Sequence, residues 1–321
     1  MDFSRPMRAV RRVRSAVLTR VGLPTLLNPT QEARFLALSP RFRGVRDQLA
    51  RSVNPSHAAA PNAFAWGDWE RSIAERFNGG LPVDFLHDPT LAHTMVFGAT
   101  ARLGERLARV RAAFPGGVAD DLLLEDAIGR PTICDRATMT SANRAHHAYH
   151  LATHAMVTGR PLFGAKFIVE WGGGYGNLAR IVRRMDRSVT YVILDLPALG
   201  AVQWAYLSAL EGEDAVHLVT ADDPTIAPGK VNLAASSFAL DHLPTLRADA
   251  FVSTWALTES PPALQQAVIE RDFFGAEQVL VAYTLDGNNA VREPLAARGC
   301  VQRPISILAR EGLLSNEYAL R

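Results

Sequence analysis

Gly172, Gly174 and Gly176 recur at every second position of Phe167–Asn177, FIVEWGGGYGN, directly behind the carboxylate of Glu170. The apolar run Phe167-Ile168-Val169 precedes them and a helix-like run, Leu178–Met185, follows. Strand, glycine turn and helix in that order are how an open α/β sheet holds a nucleotide-like ligand. Glycine lets the backbone turn tightly and approach the ligand with no Cβ in the way. A second apolar run, Tyr191–Pro197, ends in Asp195, where such sheets place the carboxylate that binds ribose hydroxyls. The bland alternatives are a tight structural turn and a capping aspartate. The spacing disfavours a nicotinamide dehydrogenase: G-x-G-x-x-G begun at Gly172 needs glycine at position 177, where Asn177 stands.

A second set of chemical groups lies just upstream. On a helix over Ser141–Val157, SANRAHHAYHLATHAMV, residues Asn143, His146, His147, His150 and His154 share one arc of about 100°. Ala145, Ala148, Ala152, Ala155 and Met156 take the other side. Such a face is either solvated or overlooks a reaction centre, with His150 at its angular middle and His146 beside it as candidate bases. A zinc site from an i, i+4 pair lacks a nearby cysteine. Glu259, Asp241 and Asp286 fall at or near predicted strand ends and are candidate oxygen ligands for Mg2+; each could equally be structural.

Positioning these groups needs a large core. The 321 residues are enough for two domains. Apolar residues make up 48% and charged residues 21%, ordinary for a globular protein. The net charge of +2 argues neither for nor against nucleic acid, no nucleic acid partner is expected, and the absence of an 18-residue apolar run predicts no membrane span. Two distant cysteines, Cys134 and Cys300, without metal-ligand spacing, fit a reducing cytoplasm. The first 24 residues form an arginine-rich arm, read as packed on the body or on a second subunit of a homodimer rather than as a membrane-surface helix or a segment resembling a transit peptide.

Residues 1–160 read as a helical cap, with helices over Asp68–Phe77, Pro89–Phe114 and Asp120–Ile128 and no sheet. Residues 161–321 read as an α/β core, a Rossmann-like doubly wound sheet of seven strands. Strands are predicted at Phe167–Val169, Tyr191–Asp195, Val216–Thr220, Val231–Leu240, Ala250–Thr254 and Gln278–Leu285. Helices are predicted over Leu199–Leu210 and Pro262–Phe274, and a closing antiparallel hairpin over Ile305–Ala309 and Glu317–Arg321 around Gly312.

Over residues 160–321 the chain resembles the class I S-adenosylmethionine (SAM) methyltransferases. The likeness rests on E-W-G-G-G-Y-G at Glu170–Gly176, on Asp195, on a strand ending at Ser237-Phe238 and on one ending at Trp255–Glu259. Leu194-Asp195-Leu196-Pro197 is similar to the D-L-P of small-molecule O-methyltransferases, and Thr254–Ser260, TWALTES, to their K-W-x-x-H-D-W segment. With the SANRAHHAYHLA helix and STWALTES, most of the chain looks like the bacterial sugar O-methyltransferases. The resemblance implies that Asp195 binds SAM ribose, Glu170 with Gly172–Gly176 the amino-acid end, and Ser237 with Phe238 the adenine edge. It implies methyl transfer to a hydroxyl of a saccharide acceptor. In the related enzymes a histidine of that segment is the base, but Thr258 stands in its place here.

Methyl transfer is an in-line displacement that holds the acceptor oxygen at about 3 Å. A sugar hydroxyl is about as weak an acid as water, near 15–16, so it needs a base or a metal. His150, His146 and Glu259 are the candidate catalytic residues. An aromatic or polyketide hydroxyl is the alternative acceptor, for which Phe64, Trp66, Trp69 and Phe77 are available aromatics. A non-catalytic binding protein on the same fold is the remaining alternative.

Overall fold

The computed structural model describes residues 28–53, 66–285, 290–308 and 315–321; the basic arm, Phe64, Asp286 and Gly312 lie outside them. The described strands are β1 (Ile133–Asp135), β2 (Thr140–Ser141), β3 (Phe167–Trp171), β4 (Thr190–Asp195), β5 (Val216–Val219), β6 (Val231–Ala235), β7 (Ala250–Thr254), β8 (Gln278–Thr284), β9 (Val301–Pro304) and β10 (Asn316–Leu320). β3 to β10 form one sheet in the order β5-β6-β4-β3-β7-β8-β10-β9. Every pairing among β3 to β8 is parallel, and β10 runs antiparallel to both β8 and β9. This is the expected doubly wound sheet with its closing hairpin. It has eight strands rather than seven, the six parallel strands and both strands of the hairpin joining one sheet.

β4 and β6 are buried along their whole length, as expected of parallel strands covered on both faces. Alternation sorts their side chains. Ile168, Tyr191, Ile193, Leu233, Val252 and Leu280 join one apolar cluster; Val169, Val192, Leu194, Phe251, Val279 and Val281 join another. A period of two sends neighbours to opposite faces, so the sheet separates two cores.

The helices are α1 (Pro29–Leu38), α2 (Phe42–Ala50), α3 (Trp66–Arg76), α4 (Pro89–Met95), α5 (Leu103–Ala113), α6 (Gly117–Leu123), α7 (Ala142–Thr158), α8 (Asn177–Met185), α9 (Pro197–Glu211), α10 (Ser236–His242), α11 (Ala256–Glu259), α12 (Pro262–Glu270) and α13 (Arg292–Ala297). Phe35, Phe42, Leu49, Ile73, Leu107 and Leu122 from the N-terminal helices belong to the first cluster together with α8 and α9. The N-terminal helices therefore share one continuous core with a face of the sheet. A buried charge network reinforces this contact. Arg144 of α7 binds Glu125 at 2.9 Å and Asp126 at 2.7 Å, and Arg180 and Arg184 of α8 bind Asp126 at 3.0 and 2.7 Å. The arginines hold the Asp126 carboxyl well below its usual range despite its burial.

Several boundaries differ from the sequence reading. The single helix expected over Pro89–Phe114 is two, α4 and α5. Between them the Asn143 side chain takes the Phe97 N–H at 2.8 Å, the Arg106 guanidinium takes the carbonyls of Ala99 and Ala101, and Arg102 has φ +60°. Tertiary partners have replaced the helical ladder. The helix expected over Asp120–Ile128 stops at Leu123, since the Glu125 N–H goes to Met139 O. The region expected to hold no sheet contains the β1–β2 ribbon, whose turn is closed by Thr138 donating to Asp135 Oδ2. The strand expected to run to Leu240 ends at Ala235, where pairing with β4 stops at Asp195. The expected helix Pro262–Phe274 ends at Glu270; Phe273 and Phe274 carry positive φ. The last hairpin uses Val301–Pro304 rather than Ile305–Ala309: β9 is an edge strand, where Pro304 sits without interrupting a central ladder.

Candidate active site

The sheet reverses its winding between β3 and β7, and ligands of such folds bind at that switch point beyond the strand C-termini. The register sets Trp171 opposite Leu194 and Asp195 opposite Ala235, so the glycine loop, Asp195 and the start of α10 share one edge. In the loop Gly172, Gly174 and Gly176 have φ of +76°, +58° and +92°, the left-handed region that glycine enters without cost. Gly172 has a second reason. A Cβ there would lie 2.0 Å from the Ala256 Cβ, so the loop is pressed against the end of β7. A Cβ on Gly174 would meet only Met95, at 3.9 Å, so this part of the loop borders open space.

Glu170 is buried under the loop. Its Oε2 accepts the Tyr191 hydroxyl at 2.9 Å and lies 3.3 Å from where a Gly173 Cβ would stand. Burial pushes its carboxyl up to about 8, against the pull of the Tyr191 bond, and the Asp195 charge adds to the rise. Asp195 is also buried; Oδ1 accepts Leu196 N–H at 2.8 Å and Oδ2 accepts the Gln203 amide at 2.7 Å. Burial raises it to about 7, with these donors and Gly173 N–H opposing and Glu70 contributing. Glu70, on α3, reaches the start of α9, where its Oε1 accepts Ala198 N–H at 3.2 Å. Burial raises the Glu70 carboxyl too.

The histidine face of α7 is turned inward, with His147 alone of its four histidines partly exposed. His146 is 3% exposed, and His150 and His154 are 0% exposed. His146 lies between Phe97, at 3.9 Å and 14°, and Trp255, at 5.8 Å and 16°. The Arg106 guanidinium stands over the Phe97 ring at 4.8 Å. His150 meets both His146 and Trp255 edge-on, and its Nδ1 is 2.5 Å from the Tyr318 hydroxyl. His147 Nδ1 accepts the Asn177 amide at 2.6 Å, and His154 Nε2 bonds Arg321 O at 3.1 Å. Burial, with repulsion from neighbouring cations, holds His146 and His150 well below the usual imidazole range, and burial takes His147 to about 3. Burial favours the neutral form of these rings. His146 Nδ1 and His150 Nε2 have no hydrogen-bond partner.

Trp255, at the end of β7, has φ +68°, and its indole N–H donates to Asn316 Oδ1 at 2.8 Å. This backbone is strained for a non-glycine residue, and it turns the chain into α11. Thr258 on α11 spends its hydroxyl on Trp255 O at 3.0 Å, and Glu259 ends the helix. Ser237 and Phe238 lie inside α10 rather than at a strand end. Phe238 is buried in the second cluster and stacks on His242 at 4.5 Å. Asp241 is exposed on the same helix. Among the described residues no group of three or more His, Cys, Asp or Glu is placed to hold a metal ion. Glu259 and Asp241 join no such group, Asp286 lies outside the described residues, and no step below runs through Mg2+. No described helix is long and apolar enough to cross a membrane.

Sequence reasoning missed Gln203, Glu70, Phe97 and Tyr318, and gave Trp255 only as the end of a strand. Gln203 left a signal, an amide inside the apolar run of α9; Glu70, Phe97 and Tyr318 left none that distinguishes them from core residues.

No protein-family model matches the chain, and no curated protein sequence matches it. Solved structures are similar to it at low identity. The mitomycin 7-O-methyltransferase MmcR is 15% identical at a TM-score of 0.35, over 99% of this chain and 100% of that one. Human N-acetylserotonin methyltransferase in complex with SAM is 11% identical at 0.31, over 100% and 99%. An O-methyltransferase family protein from Burkholderia thailandensis is 14% identical at 0.36, over 68% and 67%. Likeness at this level leaves activity to be argued from the site itself.

Proposed function

We propose that the chain is a SAM-dependent O-methyltransferase that methylates a hydroxyl of a sugar or saccharide intermediate. The observation that carries the reading is the pairing of the left-handed glycine loop with the Asp195 carboxylate at the switch point, joined by one amide. The site fits SAM: the loop is open at Gly174, and an acid stands at the second strand end. SAM supplies the electrophilic methyl carbon. Asp195 receives the ribose, Glu170 and Gly172–Gly176 the amino-acid end, and Ser237 and Phe238 the adenine edge.

The acceptor approaches from the side of residues 1–160, and a neutral His146 or His150 takes its proton, with Glu259 as the other candidate base. A homodimer built through the basic arm, in the cytoplasm, belongs to the same reading. A second reading, an aromatic or polyketide hydroxyl as acceptor, is favoured by the ring column Phe97–His146–Trp255 beside the strand end.

The test is calorimetry with SAM and NAD, followed by methyl transfer to a panel of mono- and oligosaccharides and phenols, with and without EDTA. SAM binding with sugar methylation is expected. Asp195→Ala should weaken SAM by about 1–3 kcal/mol; unchanged affinity sinks the ribose assignment. NAD binding without SAM binding removes the whole reading, and transfer to phenols alone selects the second acceptor class. Activity lost in EDTA and in Glu259→Gln together would mean that a metal had been missed.

A further inference from the structure

We propose that Gln203 is the positioning residue that aims the Asp195 carboxylate at the cofactor's ribose and couples it to the glycine loop. The inference rests on the SAM reading above.

Gln203 is fully buried in α9, among apolar neighbours. Its amide nitrogen donates to Gly174 O at 2.9 Å and to Asp195 Oδ2 at 2.7 Å. The Gly174 carbonyl can only accept, so chemistry settles which end of the amide faces this pair. The cost is visible at the other end: Gln203 Oε1 is buried without a partner. An apolar side chain would fill the same space and leave no orphaned oxygen, so packing alone does not account for glutamine here. Among the described residues Gln203 is the side chain that donates to Asp195, the other donors being the backbone of Leu196 and Gly173. One amide thus spans the loop that would line the cofactor and the carboxylate that must be charged to accept ribose hydroxyls.

The charged groups around Asp195 set what the bond has to overcome. Glu70 faces it from α3, with Arg46 of α2 behind Glu70. Glu170 faces it from β3 and is bound by Tyr191 of β4. Burial and the Glu70 charge favour the protonated form of Asp195, and a donor to the charged form opposes them.

The experiment measures SAM affinity of the full chain from pH 6 to 9 for wild type, Gln203→Met and Gln203→Glu, with thermal melting to confirm folding. Gln203→Met keeps the volume and removes the donor. Affinity at pH 7 should fall roughly tenfold to a hundredfold, the midpoint of the affinity–pH curve should move up, and the deficit should shrink at pH 9. Gln203→Glu places a second acid against Asp195, and its deficit should grow with pH. If the Met variant does not fold, the Glu variant decides alone. Wild-type affinity in the variants, or deficits equal at every pH, overturn the proposal, because a packing role would not move the midpoint. Wild type that binds no SAM at any pH overturns the cofactor reading and this proposal together.

Discussion

His146 and Phe97 lie face to face, ring centroids 3.9 Å apart and planes 14° from parallel. The contact joins the segment between α4 and α5 to α7, and Trp255 continues the stack onto the end of β7. An imidazole is packed here as an aromatic ring, and its Nδ1 has no hydrogen-bond partner. One side chain therefore carries two separable properties, shape and basicity.

His146→Phe separates them. Phenylalanine preserves the stack and orphans nothing, so the unfolding midpoint should correspond to a loss below about 1.5 kcal/mol. If His146 is the base, turnover on a confirmed acceptor should fall by about 10² to 10⁴ while SAM affinity stays nearly constant. Near-wild-type turnover moves the role to His150 or Glu259, whose Ala and Gln variants are assayed alongside.

The same variant alters acid stability. His146 has its folded pKa lowered by burial, whereas in the unfolded chain it titrates near 6.5. Below about pH 6.5 the unfolded chain binds the extra proton, so the contribution is complete above that pH and is lost as pH falls. Glu170 and Asp195, raised to about 8 and 7, act in the opposite sense between their unfolded values and those pH values. The comparison of variant with wild type removes them. Urea midpoints should show His146→Phe gaining on wild type from pH 6.5 to 5; parallel curves would contradict a buried neutral ring.

SAM binding should release protons near neutral pH. The free site holds its carboxyl protons up to about pH 7 at Asp195 and about 8 at Glu170. A ribose diol and a cationic amino group both favour the ionised acids, so affinity should rise as pH increases through this window. Calorimetry in two buffers of different ionisation enthalpy measures the protons directly, and zero release at pH 6.5 would contradict the assignment.

Two glycines of the loop should fail differently. Gly172→Ala puts a Cβ 2.0 Å from Ala256 at a positive φ, and overpacking with backbone strain should cost at least about 2 kcal/mol of stability. Gly174→Ala meets nothing closer than 3.9 Å. It should fold with a penalty of about 1–2 kcal/mol from its φ and lose SAM affinity more than tenfold. Thermal melting and calorimetry on both variants check the contrast, and equal stability losses would contradict it.

The sheet and the ligand-facing end of the strands were legible in the sequence. Continuous apolar runs can only be buried parallel strands when helical runs alternate with them, and glycines after such a run mark the turn. Gly172, Gly174, Gly176, Glu170 and Asp195 could thus be placed along the chain because a turn and a strand end depend on local order. What surrounds them could not. The partition of α4 from α5 follows from Asn143 and Arg106 capturing backbone groups, and a helical period carries no trace of such distant partners. The histidine stripe of α7 could have faced solvent or protein. Only its packing against Phe97, Trp255 and Tyr318 made it a buried neutral cluster, because a ring's pKa and exposure are set by neighbours far away in sequence. Gln203, at a position where the apolar run would suit leucine, acquires meaning only when folding brings Asp195 and Gly174 to its one amide nitrogen.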